Sequence, residues 1–581
     1  MKFLLAAINA KYIHSNPGVY SLKAYAEMPR QGGRHPSGCG LPGWHVEIGE
    51  YTINNQMEQI LEDIFRRQPD AVGFSCYIWN ISYVLGIVRD LHKVLPDTDI
   101  WLGGPEVSFD AQELLKREPA VLGIMKGEGE EVFARLLSAY EHLGSSFKTA
   151  KNRGSFRAEL SAISGLACRD GDGTIKETPL KPVMDLSGLP FLYDSLEGFE
   201  HRIVYYESSR GCPFSCSYCL SSIDKSVRFR DVELVKEELA FFLKHRVPQV
   251  KFIDRTFNCS RGRAMEIWSY IQEHDNGITN FHFEIAADLL NQEALALIGR
   301  MRPGLIQLEI GVQSTNPETL REIRRTMDLE QLKWAVAEIR RGGNVHQHLD
   351  LIAGLPYEDY ESFARSFNEV YAMQLEQLQL GFLKVLKGSF MHDMAAAYQL
   401  KYRTQPPYEV LSTRWLSYGD VLKLKGIEQV VEVYYNSRQF TRTLKLLEAE
   451  FSDPFTMFEK LTDYYQEQHL TERSHSRLAR YEILYAWIKA QTGKDRLPEI
   501  EDALIYDLYL RENAKSRPSF APDQSLYKAM IRKAVPELRL MGTQLHAEVF
   551  QNGELLVFDY RRKDPLTGNA GVVRRDQDGK A

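Results

Sequence analysis

The chain has 581 residues, 44% of them hydrophobic and 26% charged, with a formal net charge of -7 at pH 7. That composition predicts a globular protein of about three or four domains, and the mixed charge gives no global case for nucleic-acid binding. Seven cysteines are too few for a disulfide scaffold and suit a reducing cytoplasm, and no run approaches the roughly 20 apolar residues of a membrane span.

The opening run Met1-Lys-Phe-Leu-Leu-Ala-Ala-Ile8 is too short for a signal peptide and lacks a cleavage site, so it reads as a buried parallel strand. Further strands are predicted at His45 to Tyr51, Ala71 to Ser75, Asp99 to Leu102 and Val121 to Met125, with helices at Met57 to Arg67, Ile81 to Leu95 and Glu128 to Tyr140. This alternation predicts a doubly wound, Rossmann-like parallel sheet over residues 1–140, with ligands expected at the carboxyl ends of its strands. The glycine-rich stretch Arg30 to Trp44, holding His35 and Cys39, reads as an irregular surface insertion. Residues 141–198 form a linker, with a small hairpin from Gly165 to Thr178 and an extended stretch marked by Pro179, Pro182 and Pro190.

A second strand–helix series is predicted over residues 199–405. Its strands are Ile203 to Glu207, Gln249 to Ile253, Phe281 to Ala286, Leu305 to Ile310, Gln347 to Ile352 and Leu378 to Leu383. After the first strand comes a helix that Asp231 can cap, with Val235, Leu239, Phe242 and Leu243 on one face. Six such units predict a partial (β/α)6 barrel of TIM type, with chemistry at its C-terminal mouth. Residues 406–581 turn to tyrosine-rich helical patterns, including Asp420 to Asn436 and Ser476 to Gly493. A hairpin is predicted from Gln544 to Phe550 and Leu555 to Tyr560, joined through Asn552-Gly553. The polar tail after Arg561 is expected to fray.

Chemistry concentrates in Gly211-Cys-Pro-Phe-Ser-Cys-Ser-Tyr-Cys-Leu220, a CxxxCxxC run leaving the first barrel strand. Four-iron clusters normally take four cysteines. Cys212, Cys216 and Cys219 have no fourth nearby, the next being Cys259, so one iron is left open to a small molecule. A zinc site fits less well, because it wants a closed set of four ligands, usually in CxxC pairs.

The spacing, with the aromatic Tyr218 before the last cysteine, resembles the signature of the radical S-adenosylmethionine enzymes. The resemblance implies a [4Fe-4S] cluster whose open iron chelates the amino and carboxylate groups of S-adenosylmethionine, and reductive cleavage to a 5'-deoxyadenosyl radical. It implies an electron donor such as flavodoxin or ferredoxin. Along the barrel it points to Asp254 for the methionyl amino group, and to Glu309 and Gln313 of Leu308-Glu-Ile-Gly-Val-Gln-Ser314 for ribose and adenine. Arg325 would meet the methionyl carboxylate, and Gly354 would let backbone approach the adenine.

In the first domain, polar and small residues gather at successive strand ends. They include Asn9, Tyr12 and His14 after strand one, Ser75 after strand three, Gly103, Gly104 and Glu106 after strand four, and Gly127 and Glu128 after strand five. Together with the cysteine run, this resembles the cobalamin-binding radical S-adenosylmethionine subfamily, some members of which carry a C-terminal domain of unknown function. The Asp-x-His-x-x-Gly motif that donates a histidine to cobalt in many cobalamin domains is missing, with Tyr12 and Pro17 at its aspartate and glycine positions. His14 is therefore expected to be a hydrogen-bonded loop histidine, leaving the lower cobalt face free of protein. The subfamily implies methylation of an unactivated carbon or a phosphorus centre in a small-molecule substrate. Rivals are radical rearrangement or ring formation, a transfer-RNA-modifying enzyme needing a second cluster, and a non-catalytic cofactor sensor.

Overall fold

The computed structural model describes residues 1–28, 44–143, 156–170, 172–180, 183–193, 195–491 and 496–576. The glycine-rich insertion with His35 and Cys39 lies outside them. The chain forms two compact units, Met1–Glu284 with Lys384–Val410, and Ile285–Leu383 with Leu411–Ala581.

The first unit opens with strands β1 (Lys2–Asn9), β2 (His45–Thr52), β3 (Ala71–Ser75), β4 (Asp99–Gly103) and β5 (Gly123–Met125). They pair in parallel in the order β2-β1-β3-β4-β5. β1 is apolar throughout because both its faces are covered. Leu4, Ala6 and Ile8 join one core with Ile60, Val84 and Val88, while Phe3, Leu5 and Ala7 join another with Val19, Phe133 and Leu136.

The sheet does not end at β5. The hairpin predicted in the linker, β6 (Leu166–Arg169) and β7 (Ile175–Glu177), continues it antiparallel beyond β5. The sheet is therefore mixed rather than wholly parallel. The hairpin covers a row of backbone donors and acceptors that a bare edge would expose. Gly123 permits the approach, since a Cβ there would lie 2.8 Å from the Ala167 carbonyl oxygen.

The same unit then starts the second series with β8 (Val204–Tyr206), β9 (Ser209–Arg210), β10 (Arg228–Phe229), β11 (Gln249–Phe252) and β12 (Asn280–Ile285). β8, β11 and β12 are parallel neighbours, whereas β9 and β10 pair antiparallel and close the cysteine loop at its base. The helix Val232–Lys244 is capped by Asp231, which accepts from the amides of Glu233 and Leu234, and it buries Val235, Leu239, Phe242 and Leu243.

The second unit carries the parallel strands β13 (Ile306–Gln313), β14 (His346–Ala353) and β15 (Gln377–Phe382). Each unit thus carries three parallel strands of the series predicted from the sequence. Along β13 burial alternates strictly, with Ile306, Leu308, Ile310 and Val312 inside and Gln307, Glu309 and Gln313 on the more open face.

Helices Tyr418–Val431, Pro454–Glu467, Arg477–Gln491 and Leu497–Arg511 follow, and several tyrosines of this region are buried in its core. Tyr434 hydrogen-bonds Tyr465 at 2.6 Å, and Tyr481 donates to the Gln439 carbonyl at 2.8 Å. Among the described residues beyond Arg561, up to 576, the expected fraying is not found. β16 (Leu545–Val549) and β17 (Leu555–Lys563) form the predicted hairpin, and β18 (Ala570–Arg575) adds a third antiparallel strand. Asp564 organises the return by accepting from the amides of Leu566 and Thr567 at 3.1 and 2.6 Å.

Candidate functional site

The cysteine loop begins where β8 ends, and its base is held from beneath. Asp254, 1% exposed, accepts from the Ser208 amide at 2.8 Å, the Ser208 hydroxyl at 2.6 Å and the Ser209 hydroxyl at 2.7 Å. Burial pushes its carboxyl up to about 6, against those hydrogen bonds. Its oxygens are thus engaged under the loop. Gly211 follows with φ +96°, and a Cβ there would come within 2.6 Å of the Ser226 carbonyl oxygen, so the turn admits glycine alone.

The loop then folds on itself. The Cys219 amide donates to the Cys216 carbonyl at 3.2 Å, and the Ser222 hydroxyl contacts the carbonyls of Cys216 and Cys219 at 2.9 and 2.6 Å. From the segment Lys384–Val410 the Met391 amide reaches the Ser217 carbonyl at 2.9 Å. Cys216 is buried, while Cys212, Tyr218 and Cys219 are partly open. Thr256 Oγ1 lies 3.8 Å from Cys212 Sγ, and burial pushes the Cys212 thiol up.

Arg210, one residue before the turn, anchors the loop sideways. Its guanidinium meets Glu207 at 2.7 Å and Glu130 at 2.8 Å, with Glu128 at 3.3 Å. Ser21 also donates to Glu130 at 2.9 Å. Burial works against the charge on Arg210, but Glu130 and Glu207 outweigh it and hold the guanidinium firmly protonated. Glu130, likewise penalised by burial, is kept ionised by Arg210.

A cavity of about 660 Å³ opens above the carboxyl ends of β1, β3, β4 and β5. Its floor is Gly18, Ser75, Gly103, Gly104 and Gly127, and Tyr205, Arg210 and Gly211 line it from the side of the cysteine loop. Gly104 has φ +116°, and a Cβ there would meet the Cys76 carbonyl oxygen at 2.5 Å. At Gly104 the floor is bare because the backbone permits nothing larger.

Of the residues expected at the strand ends, Ser75, Gly103, Gly104, Gly127 and Glu128 line this cavity. The carboxylates turn to other partners. Glu128 pairs with Arg228 and accepts from the Met184 amide at 2.8 Å. Glu106 takes Lys387 at 3.2 Å and the Tyr408 hydroxyl. Asn9 is buried and donates to the His14 carbonyl and to Glu50, both at 3.0 Å. Tyr12 is exposed beneath Arg202, 5.0 Å from its ring centre. His14 hydrogen-bonds the Tyr205 hydroxyl through Nδ1 at 2.5 Å, and burial, aided by Lys11 and Lys251, lowers its basicity. Sequence reasoning passed over Asn16 and Arg210, which also line the cavity; the position of Arg210 directly before Gly-Cys was the one available signal.

In the second unit Gly311, Gln313 and Arg325 come together. A Cβ on Gly311 would meet Gln313 Nε2 at 2.4 Å and Arg325 Nη2 at 3.4 Å, and Arg325 donates to the Gly311 carbonyl. Gln313 holds φ +74°, and its Oε1 is buried without a hydrogen-bond partner among the described residues. Gln313 thus combines a left-handed backbone conformation with a buried acceptor that the fold itself leaves unused. Glu309 sits on the same open face of β13, and Gly354, φ +90°, ends β14.

Nearby Glu358, 1% exposed, accepts from Ser314 at 2.7 Å and Ser366 at 3.0 Å. Burial pushes its carboxyl from 4.5 up to about 7. A carboxyl raised on folding favours the folded state fully while protonated, below pH 4.5, and loses that contribution as pH climbs through 7. Glu358→Gln keeps an acceptor for both serines. It is expected to remove roughly 3 kcal/mol of the decline in unfolding free energy between those pH values. Denaturant unfolding across that range checks this, and parallel curves for both proteins would refute it.

Comparison with known proteins gives the domains. Residues 5–137 match the B12 binding domain, residues 206–370 the Radical SAM superfamily, and residues 396–551 a protein family of unknown function, DUF4080. The anaerobic magnesium-protoporphyrin IX monomethyl ester cyclase of Rubrivivax gelatinosus is 26% identical over 364 residues, covering 58% of this chain and 63% of that protein. The uncharacterized methyltransferase PH0819 of Pyrococcus horikoshii is 23% identical, covering 66% and 79%. The cobalamin-dependent radical SAM methyltransferase TokK of Streptomyces tokunonensis is 24% identical, covering 58% and 50%. The chain therefore spans less than two thirds of the cyclase and of TokK. In fold it resembles the cobalamin-dependent S-adenosylmethionine radical enzyme OxsB (TM-score 0.58, 14% identity, 87% of this chain and 78% of that one). It also resembles the radical S-adenosylmethionine methyltransferase TsrM from Kitasatospora setae (TM-score 0.53, 16% identity, 70% and 79%).

A B12-binding sheet followed by a radical S-adenosylmethionine barrel defines the class, an enzyme class built on two cofactor domains. The chain carries in succession regions that match the B12 binding domain, the Radical SAM superfamily and DUF4080, and it resembles the cobalamin-binding-domain radical S-adenosylmethionine family. The matched domains point to cobalamin and S-adenosylmethionine, and the similar TsrM structure holds cobalamin with a [4Fe-4S] cluster. The residues present fit them. Three cysteines share one loop, and no group of three or more His, Cys, Asp or Glu among the described residues is set to hold a metal ion. A cluster needs no such convergence, since each of its irons takes its own sulfur. The glycine floor suits a broad planar ligand, and the orphaned Gln313 oxygen suits a donor on S-adenosylmethionine. Among the described residues no helix is long and apolar enough to cross a membrane.

Proposed function

We propose that this protein reductively cleaves S-adenosylmethionine and methylates an unactivated carbon or phosphorus centre of a small molecule in the cytoplasm, drawing electrons from a flavodoxin or ferredoxin. The observation that carries this reading is that Arg210, Gly211 and Ser221, which flank the three cysteines, line one cavity with the glycine floor. When bound, the cluster with S-adenosylmethionine supplies a hydrogen-abstracting 5'-deoxyadenosyl radical, and cobalamin supplies the methyl group.

The chain's own residues hold and shield. Cys212, Cys216 and Cys219 bind iron, with Asp254 fixing the Ser208–Ser209 turn below them and Arg210 bracing it against Glu130. Tyr218 shields the loop. Glu309 and Gln313 take ribose and adenine edges, Arg325 the methionyl carboxylate, and Gly354 leaves room for the adenine. Ser75, Gly103, Gly104 and Gly127 seat the corrin. Glu128 lines the same cavity, and Asn9, Tyr12, His14 and Glu106 support the floor through neighbouring side chains. Residues 1–140, 141–198, 199–405 and 406–581 are the working division into cobalamin domain, linker, barrel and C-terminal domain.

The similarity to an anaerobic cyclase favours a second reading, radical ring formation without methyl transfer. Product analysis under anaerobic reduction separates them. Methyl transfer predicts 5'-deoxyadenosine and S-adenosylhomocysteine in equal amounts, ring formation 5'-deoxyadenosine alone. Neither product would leave a cofactor sensor.

A further inference from the structure

The charges around the cavity of the first unit are matched in pairs, with one exception. Lys126 meets Glu177, Arg210 meets Glu130 and Glu207, Arg228 meets Glu128 and Asp224, and Arg230 meets Glu238. Arg255 also lines the cavity. It is exposed there, and among the described residues its guanidinium has neither an ion pair nor a hydrogen bond. Its neighbour Asp254 is turned away onto Ser208 and Ser209. On its other side Thr256 touches Cys212, so Arg255 stands on the cysteine-loop side of the cavity.

A guanidinium is always charged and presents a planar fork of donors that matches carboxylate or phosphate oxygens two at a time. In a water-filled cavity an unpaired guanidinium costs little. Once a ligand displaces that water, the charge needs a partner or opposes binding. A neutral ligand would leave Arg255 stranded, whereas an anionic one would complete the pairing found for every other cation of the lining.

We infer that the substrate carries a carboxylate or phosphate group and that Arg255 binds it. This rests on the proposed radical chemistry and names the substrate class. The cofactors bring anionic groups of their own, a carboxylate on S-adenosylmethionine and a phosphodiester on cobalamin, so the test must tell these apart from the substrate.

A small-molecule extract of the native host is split by anion exchange, and each fraction is added to the reconstituted holoenzyme under photoreduction. The retained, anionic fraction is expected to raise 5'-deoxyadenosine formation above the level with S-adenosylmethionine alone. Arg255→Gln is expected to lower that stimulation about tenfold and Arg255→Lys to restore part of it. In both variants the KM for S-adenosylmethionine and the bound cobalamin, measured by equilibrium dialysis, should stay within about twofold. Phosphatase treatment of the retained fraction separates a phosphate, whose stimulation is lost, from a carboxylate, whose stimulation survives. Stimulation by the unretained fraction, by neither fraction, or equally in Arg255→Gln would overturn the inference. So would a raised KM for S-adenosylmethionine or loss of cobalamin in that variant, which would assign Arg255 to a cofactor. A wild-type protein that never cleaves S-adenosylmethionine would instead defeat the underlying function.

Discussion

Cys216→Ala is expected to abolish cluster assembly and to lower 5'-deoxyadenosine formation by about a thousandfold or more, because two thiolates cannot retain a four-iron cube. Cys216 is the most buried of the three, at 6% exposure. Its carbonyl accepts from both Cys219 and Ser222, and these backbone contacts survive the substitution. The loop should therefore keep its course while losing iron. The cavity floor is untouched, so cobalamin binding should persist at the wild-type level. Iron analysis, the visible charge-transfer band and product formation check this. A variant that retained about four irons per chain would show that the cluster sits elsewhere.

The second large effect is expected at Arg210. Replacing it by methionine leaves Glu130, whose side chain is 6% exposed, and Glu207 without their cation. Removing one partner of a buried pair typically costs about 3–5 kcal/mol, because the remaining charge has no compensation. Arg210→Met should lower unfolding free energy by roughly that amount. Adding Glu130→Gln should recover most of the loss, since the stranded charge is then gone. The double variant separates a specific pair from general disruption of the loop. If it proved no more stable than the single one, Glu130 would not be the partner that matters.

What the sequence revealed follows from where each signal resides. β1 was legible because a strand covered on both faces must be apolar throughout, and the cysteine loop because iron ligation is written in local spacing. The edge position of β6 and β7 was hidden, since turn residues fix how a hairpin pairs with itself but not what it pairs against. β18 was hidden because its polar surface carries little alternation, with Ala570 its one buried residue. The glutamates of the glycine–glutamate runs have structural partners that their spacing did not announce. Their glycines do form the floor, but Glu128 faces Arg228 and Glu106 faces Lys387 and Tyr408. Those partners lie a hundred residues or more away along the chain, where no local pattern could announce them. For the same reason Arg210 looked like an ordinary loop residue, although Glu128 and Glu130 reach it from far along the chain, beside the local Glu207.

Spectroscopy of the reduced, anaerobically reconstituted protein bears most directly on the whole account. An S = 1/2 signal from a four-iron cluster whose g-values shift on adding S-adenosylmethionine, with coupling to its labelled amino nitrogen, is the predicted result. A signal indifferent to S-adenosylmethionine, or a single tetrahedral metal at Cys212, Cys216 and Cys219, would contradict it.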